Sequence, residues 1–172
     1  SIIKHLFGVF MIYKDNFLFF WKPNDFLSSS HISLFEYKNI TFNCVNQFVL
    51  YSKAMQFGDT VSASRILKEL EPKRQTSLGL KIKGVDEELW MQKQCNIVYV
   101  GYREKFMQSL ELFGLLLDTE DYFIAQTTKE DWIGGIGLSA DDEDAIDISR
   151  WQGMNIGGNA LMKVRRFLKH ND

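Results

Sequence analysis

Apolar and polar positions first cluster in short, strand-like runs and later recur at helical spacing. Residues 6–22 are rich in Phe, Ile, Val, Tyr and Trp around a polar break at Lys14-Asp15-Asn16. That pattern predicts a hairpin with strands near 6–13 and 17–21. Pro23-Asn24-Asp25 is a turn, and 26–30 is a Ser-rich loop in which Ser28, Ser29 and Ser30 present hydroxyls. Residues 33–37 and 40–42 flank Lys38-Asn39 and read as a second hairpin. Asn43 suits an N-cap, and helical spacing follows over 44–57, with Val45, Phe48, Val49 and Met55 broadly on one side. Gly58 suits the helix end, and Asp59 opens a short helix over 62–71 that stops before Pro72. Residues 73–84 are polar, contain Gly79 and Gly84, and read as a loop. Residues 86–113 read as mainly helical with a break near Gly101, 110–117 as a buried helical end and 122–126 as a strand. Gly134, Gly135 and Gly137 open the backbone of 131–138, and 141–147 is an acidic loop. A last helix over 159–169 buries Ala160, Leu161, Val164 and Leu168. Hairpins first and helices after predict an α+β fold: a mostly helical single domain over 1–172 with a small antiparallel sheet.

The length of 172 residues fits one core. Lys and Arg number 20 against 22 Asp and Glu, so a generally basic nucleic-acid grip is excluded and a local patch is not. Cys44 and Cys95 cannot frame a disulfide scaffold and read as reduced, buried thiols of a cytoplasmic protein. His5, His31 and His170 show no ligand spacing, so no structural metal is expected. No apolar run approaches the roughly 18 to 20 residues of a membrane span, so no membrane partner is expected.

Several segments invite chemistry. The acidic 141–147 loop lacks the glycine and alternation of a calcium loop and reads as solvated. Gly134–Gly137 lacks the full dinucleotide fingerprint. Arg165-Arg166 reads as a solvated helix end before a phosphate clamp. Lys53 lies seven residues after Asn46, on the same helix face, among Val49, Leu50, Ala54 and Phe57. It is either a snorkelling side chain or a pocket amine, and a neutral amine attacks carbonyl carbons and opened sugars. Asp131, before the glycines, could bind a ribose hydroxyl, act as a base or simply make a turn.

The stretches CVNQFVLYSKAMQFGD (44–59), LWMQKQCNIVYVGYREKF (89–106), LLLDTEDYFIAQTTKEDWIGGIGL (115–138) and WQGMNIGGNALMKVRRFL (151–168), with Phe26-Leu27-Ser28, resemble the NADAR or YbiA-like family. The resemblance implies a compact, mostly helical α+β fold and cleavage of N-glycosidic bonds without a metal or other cofactor. Substrates of that family are phosphorylated ribosylamino-pyrimidines or guanine bases carrying ADP-ribose in nucleic acid. Lys53 matches the lysine that attacks the ribose anomeric carbon and forms a Schiff base. Trp90 would line the base or sugar pocket, and Asn155 would hydrogen-bond ligand. Ser28, Asn46, Gln126 and Gly134 fall at further substrate-binding positions, and Asp131 would be the acid, base or ribose anchor. Lys105 and Phe106 are retained too, the first open to reading as a solvated helix charge, the second as core.

The chain also departs from the family pattern. Asn46 and Gln126 stand where the family has Glu, Gly134 where it has Trp, Gln94 where one branch has Arg, and Ser29 where it has Asn. An amide hydrogen-bonds but takes no proton from water at neutral pH. The resemblance therefore implies either an N-glycosidase acting on a nucleotide or ADP-ribosylated nucleic acid, or an ADP-ribose- or nucleotide-binding module with impaired catalysis. Gly134 in place of Trp would enlarge the pocket.

Overall fold

The structure, a computed structural model, describes residues 2–6 and 9–171, with side chains from residue 11 onward. Strands β1 (Ile2–Leu6), β2 (Val9–Lys14) and β3 (Phe17–Phe20) form an antiparallel meander. The strand expected near 6–13 is β2, and β1 before it was not expected. A second hairpin, β4 (Phe35–Tyr37) and β5 (Ile40–Phe42), turns through Lys38 and Asn39, both at positive φ (50° and 63°). Left-handed geometry at both central residues matches the right-handed twist of the strands.

Helices follow. Helix α1 (Val45–Gln56) is capped by Cys44, whose sulfur accepts the Gln47 N–H at 3.4 Å, one residue later than the Asn43 cap expected. Gly58 closes it at φ 74°. Helix α2 (Thr60–Lys68) is capped by Asp59, which accepts the Ser62 N–H. Helix α3 (Pro72–Gly79) occupies most of the expected 73–84 loop. Helix α4 (Glu87–Met107) runs through Gly101 without a break. A Cβ there would stand 2.8 Å from Phe48 Cδ1, so this glycine lets α1 close onto α4. Helix α5 (Leu110–Leu117) and strand β6 (Phe123–Gln126) come next, and β6 joins β3 in parallel, a pairing that an all-antiparallel sheet does not include. Two short 3₁₀ turns cover much of the acidic segment. Helix α6 (Ile156–His170) starts before residue 159 and buries Ala160, Leu161, Val164 and Leu168 as expected.

The main core packs Leu18, Phe20, Phe26, Phe48, Tyr102, Phe106 and Leu161 between the sheet and helices α1, α4 and α6. Apolar spacing alone does not hold α3. Buried amides do. Gln75 donates from Nε2 to Asn43 Oδ1 (2.9 Å) and to the Glu69 carbonyl (2.8 Å), and its Oε1 accepts the Cys44 thiol (3.3 Å). Gln47 donates to the last carbonyls of α2, Ile66, Leu67 and Glu69. These side chains satisfy helix ends that would otherwise be orphaned. Two other expectations fail for lack of the same information. Arg165 is buried and donates to Thr119 and to the Tyr122 carbonyl, so it is neither solvated nor a clamp. Cys95 is exposed, whereas Cys44 is buried.

Gln75→Ala leaves Asn43 Oδ1 and the Cys44 thiol without their buried partner. We expect a loss of about 1–3 kcal/mol in urea denaturation with an unchanged m value.

Candidate active site

Four of the eight sequence-predicted residues, Gln126, Asp131, Gly134 and Asn155, gather where β6 meets α6. The Asp131 Oδ1 accepts the N–H groups of Ile133 (3.0 Å) and Gly134 (2.8 Å), and its Oδ2 accepts Gln126 Nε2 (3.3 Å). Gln126 Nε2 also reaches Thr128 Oγ1. Asn155, at φ 52°, clamps β6: its Oδ1 accepts the Gln126 N–H and its Nδ2 donates to the Ile124 carbonyl. Each arm of Asn155 thus makes one bond within the protein and keeps one further donor or acceptor position. Gly157 and Gly158 let α6 approach this close, because a Cβ at Gly157 would stand 2.9 Å from Gln126 Oε1 and one at Gly158 would overlap the Ile124 carbonyl. A Cβ at Gly134 would meet Asp131 Oδ2 at 2.6 Å, so the glycine lets the carboxylate lie against the backbone of this loop. An exposed Trp132 flanks it, its indole N–H held by the Lys129 carbonyl.

The 26–30 loop lies beside this cluster, and α4 holds it. Lys105 has no exposed surface, and its Nζ donates to the carbonyls of Phe26 (2.7 Å) and Ser28 (3.1 Å). It is not a solvated charge. Tyr102, one helical turn earlier, donates to the Leu27 carbonyl at 2.9 Å, and its hydroxyl lies 3.9 Å from where a Gly157 Cβ would be. Ser28 Oγ accepts the Ser30 N–H, and the Ser29 carbonyl accepts the N–H of Asn46, which ties the loop to the start of α1. Burial drives the Lys105 ammonium down to about 7, and burial raises the Tyr102 phenol well above its ordinary range. Burial, with the Lys105 ammonium adding to it, lowers the His31 imidazole to about 4. Apolar periodicity carries no signal for Tyr102 or His31. Their roles depend on a loop whose path only the fold sets.

Asn46 and Lys53 share a face of α1, as their spacing predicts, but meet different partners. The Asn46 amide donates toward the Pro72 carbonyl (3.2 Å), Gln75 Oε1 (3.3 Å) and Thr76 Oγ1 (3.3 Å), all on α3. Lys53 is half-buried, with its Nζ 5.2 Å from the centroid of the Trp90 ring. Trp90 is 7% exposed, so one face of the amine rests on a fixed aromatic wall. Phe106 is core, edge-on to Phe26. Gln94 is buried and donates to Met91 sulfur. No hydrogen bond links Lys53 to Asp131 among the described residues. No group of three or more metal-ligating side chains gathers among them, and no helix among them is long and apolar enough to cross a membrane.

The chain belongs to the NADAR family: it matches the NADAR domain over residues 11–169. It is 35% identical over 133 residues to Protein irg-1 of Caenorhabditis elegans, covering 76% of this chain and 63% of that protein. The chain thus spans less than two thirds of the length of irg-1. It is 29% identical over 162 residues to N-glycosidase R617 of Acanthamoeba polyphaga mimivirus, covering 88% of this chain and 95% of that one. The NMR structure of the E. coli protein YbiA superposes with a TM-score of 0.75 at 20% identity, over 93% of this chain and 89% of YbiA, and so shares the fold.

Gln126→Glu sets a second carboxylate about 3.3 Å from Asp131 Oδ2. Like charges that close share a proton, which raises the apparent pKa of the folded pair above the unfolded values. The folded state then binds more protons, so the variant loses stability as pH rises from 5 to 8 relative to wild type. Denaturation midpoints across that range check it. Lys105 carries the opposite prediction. Its folded value near 7 lies below the ordinary lysine value of about 10.4, so the unfolded chain binds more protons between the two and stability rises with pH there. Lys105→Met removes that slope.

Proposed function

We propose that the chain is an N-glycosidase that cleaves the bond between ribose and a base, with Lys53 as the covalent nucleophile. The observation that carries this reading is the half-buried Lys53 amine set against the Trp90 indole, together with membership in a family that includes the mimivirus N-glycosidase. In the neutral form the Nζ lone pair attacks the ribose anomeric carbon. The carbon–base bond breaks, and the base leaves with a proton. The ring C–O bond then opens as the carbon–nitrogen double bond of a Schiff base forms, with the ring oxygen taking a proton, and water releases the sugar. An indole face beside the amine stabilises the iminium that forms, because a delocalised cation is attracted to the ring quadrupole. Asp131 keeps an oxygen, Oδ2, whose partner is a weak amide contact, so it is the carboxylate available to orient a ribose hydroxyl or accept a proton. The substrate is a nucleotide-like molecule: a phosphorylated ribosylamino-pyrimidine, or guanine in nucleic acid carrying ADP-ribose.

A second reading is a module that binds ADP-ribose or a nucleotide and turns it over poorly. One observation favours it. The Asn46 and Gln126 amides are committed to α3 and to Asp131, and neither relays a proton.

Incubation with ADP-ribosylated guanine DNA, with ADP-ribosylated protein as control and with the pyrimidine intermediates, separates the two. The glycosidase reading expects release of base by wild type and a fall of at least about 10³-fold in Lys53→Ala. Equal turnover by wild type and Lys53→Ala removes the mechanism. The binding-module reading expects saturable binding with negligible hydrolysis, and a gain of about 10²–10⁴-fold on Asn46→Glu with Gln126→Glu.

A further inference from the structure

One cavity, of about 600 Å³, shares no lining residue with the Lys53–Trp90 pair or the Asp131 cluster. It lies between β2, the 24–33 segment and α5. Buried Tyr13, Phe26 and Leu112 line it with Leu115, and the exposed carboxylates Glu111, Asp118 and Glu120 border it. No Lys or Arg lines it among the described residues. His31 does, but burial first and then the Lys105 ammonium hold its imidazole down at about 4, so it is uncharged at neutral pH. Apolar surface continues past the cavity. Ile32 is 53% exposed, Leu34 68% and Leu110 91%, each at or next to a lining position. We propose that this cavity docks an extended basic segment of a partner protein, with one Lys or Arg side chain seated at Glu111 and another, three residues along, at Asp118 and Glu120.

The three charges are unspent. No ion pair involves Glu111, Asp118 or Glu120 among the described residues. Lys169 reaches Glu120 only at its carbonyl and gives its charge to Asp121 at 2.8 Å. Arg165 is buried behind the same turn and donates to Thr119 and to the Tyr122 carbonyl. The carboxylates still act on the cavity: the Tyr13 phenol is pushed up by burial, then by Tyr122, Glu120 and Asp118, with Arg165 opposing. Their field favours a cation there. A metal ion does not fit, because no three metal-ligating side chains come together among the described residues. The spacing favours two separate cations. Glu111 stands in the first turn of α5 and Asp118 is its C-cap, seven residues on, which is about 10.5 Å along the axis. In a polyproline-type extended segment, residues three apart share a face and lie about 9.3 Å from each other. Basic side chains at i and i+3 therefore meet both carboxylate positions, with their alkyl stems along Leu112 and Leu115. Leu34 and Leu110 flank this path, and a polypeptide with apolar side chains covers them as a small free cation does not.

No step of the glycosidase reading uses these residues, so the proposal is tested without turnover. A capped peptide carrying Arg-Leu-Pro-Arg between Gly-Ser flanks is titrated into the full chain and followed by backbone amide NMR shifts. The expected result is saturable binding with a Kd of about 10–100 µM at low salt. The shifts gather on residues 31–34 and 110–120, and about 0.5 M NaCl weakens binding about tenfold. Glu111→Gln with Asp118→Asn weakens it about tenfold as well. Glu120→Gly separates charge from folding. Glu120 sits at φ 53°, where glycine is the less strained residue. This variant therefore unfolds at no lower urea concentration than wild type and binds the peptide about threefold more weakly. The proposal is overturned by an affinity unchanged in the double variant, by equal binding of a Glu-Leu-Pro-Glu peptide, by shifts centred away from α5, or by no binding up to about 1 mM. Spermidine that matches the peptide's affinity on the same residues overturns it too, because the cavity then seats a free polyamine.

Discussion

An ammonium with no solvent and no carboxylate beside it among the described residues sets the shape of the candidate site. Lys105 holds the carbonyls of Phe26 and Ser28, and Tyr102 holds that of Leu27 between them. Three consecutive carbonyls turned toward one helix fix the path of the 26–30 loop. Leaving any of those buried carbonyls unpaired would be costly, so the loop has little freedom to collapse into the cleft. Burial, with the same ammonium adding to it, disfavours protonation of His31 nearby. Positioning of the loop thus has its origin on α4.

The parts of the fold that follow from apolar spacing were legible in the sequence. Helices α1, α5 and α6, the Lys38-Asn39 hairpin and the strand at β6 are all read from period and turn residues. Helix α3 was not, because its PKRQTSLG sequence has almost nothing to bury. It is held by Gln75, and an amide that satisfies the ends of other helices carries no periodic signature. Gly101 misled for a related reason. A helical glycine reads as a break unless the partner helix is known, and Phe48 lies where its side chain would be.

For the site, the resemblance placed the residues and the structure gave them partners. Asp131, Gln126, Gly134 and Asn155 do come together, and Lys53 does meet Trp90. What no sequence position discloses is how a side chain is occupied. Asn155 is used to tie β6 to α6, and Asn46 faces α3. The Asn46 and Gln126 amides carry no charge and take up no proton from water at neutral pH, so Asp131 is the carboxylate of the cluster it forms with Gln126.

Two amines compete for the role of nucleophile. Burial pushes the Lys105 ammonium down to about 7, but it has no exposed surface and donates to two carbonyls. Lys53 is half-buried and faces an indole. Reduction with borohydride during incubation with a ribose-linked substrate, followed by mass mapping of the peptides, distinguishes them directly. The account predicts a ribosyl adduct on Lys53 and none on Lys105; an adduct elsewhere, or substrate consumed with no trapped lysine, would contradict it.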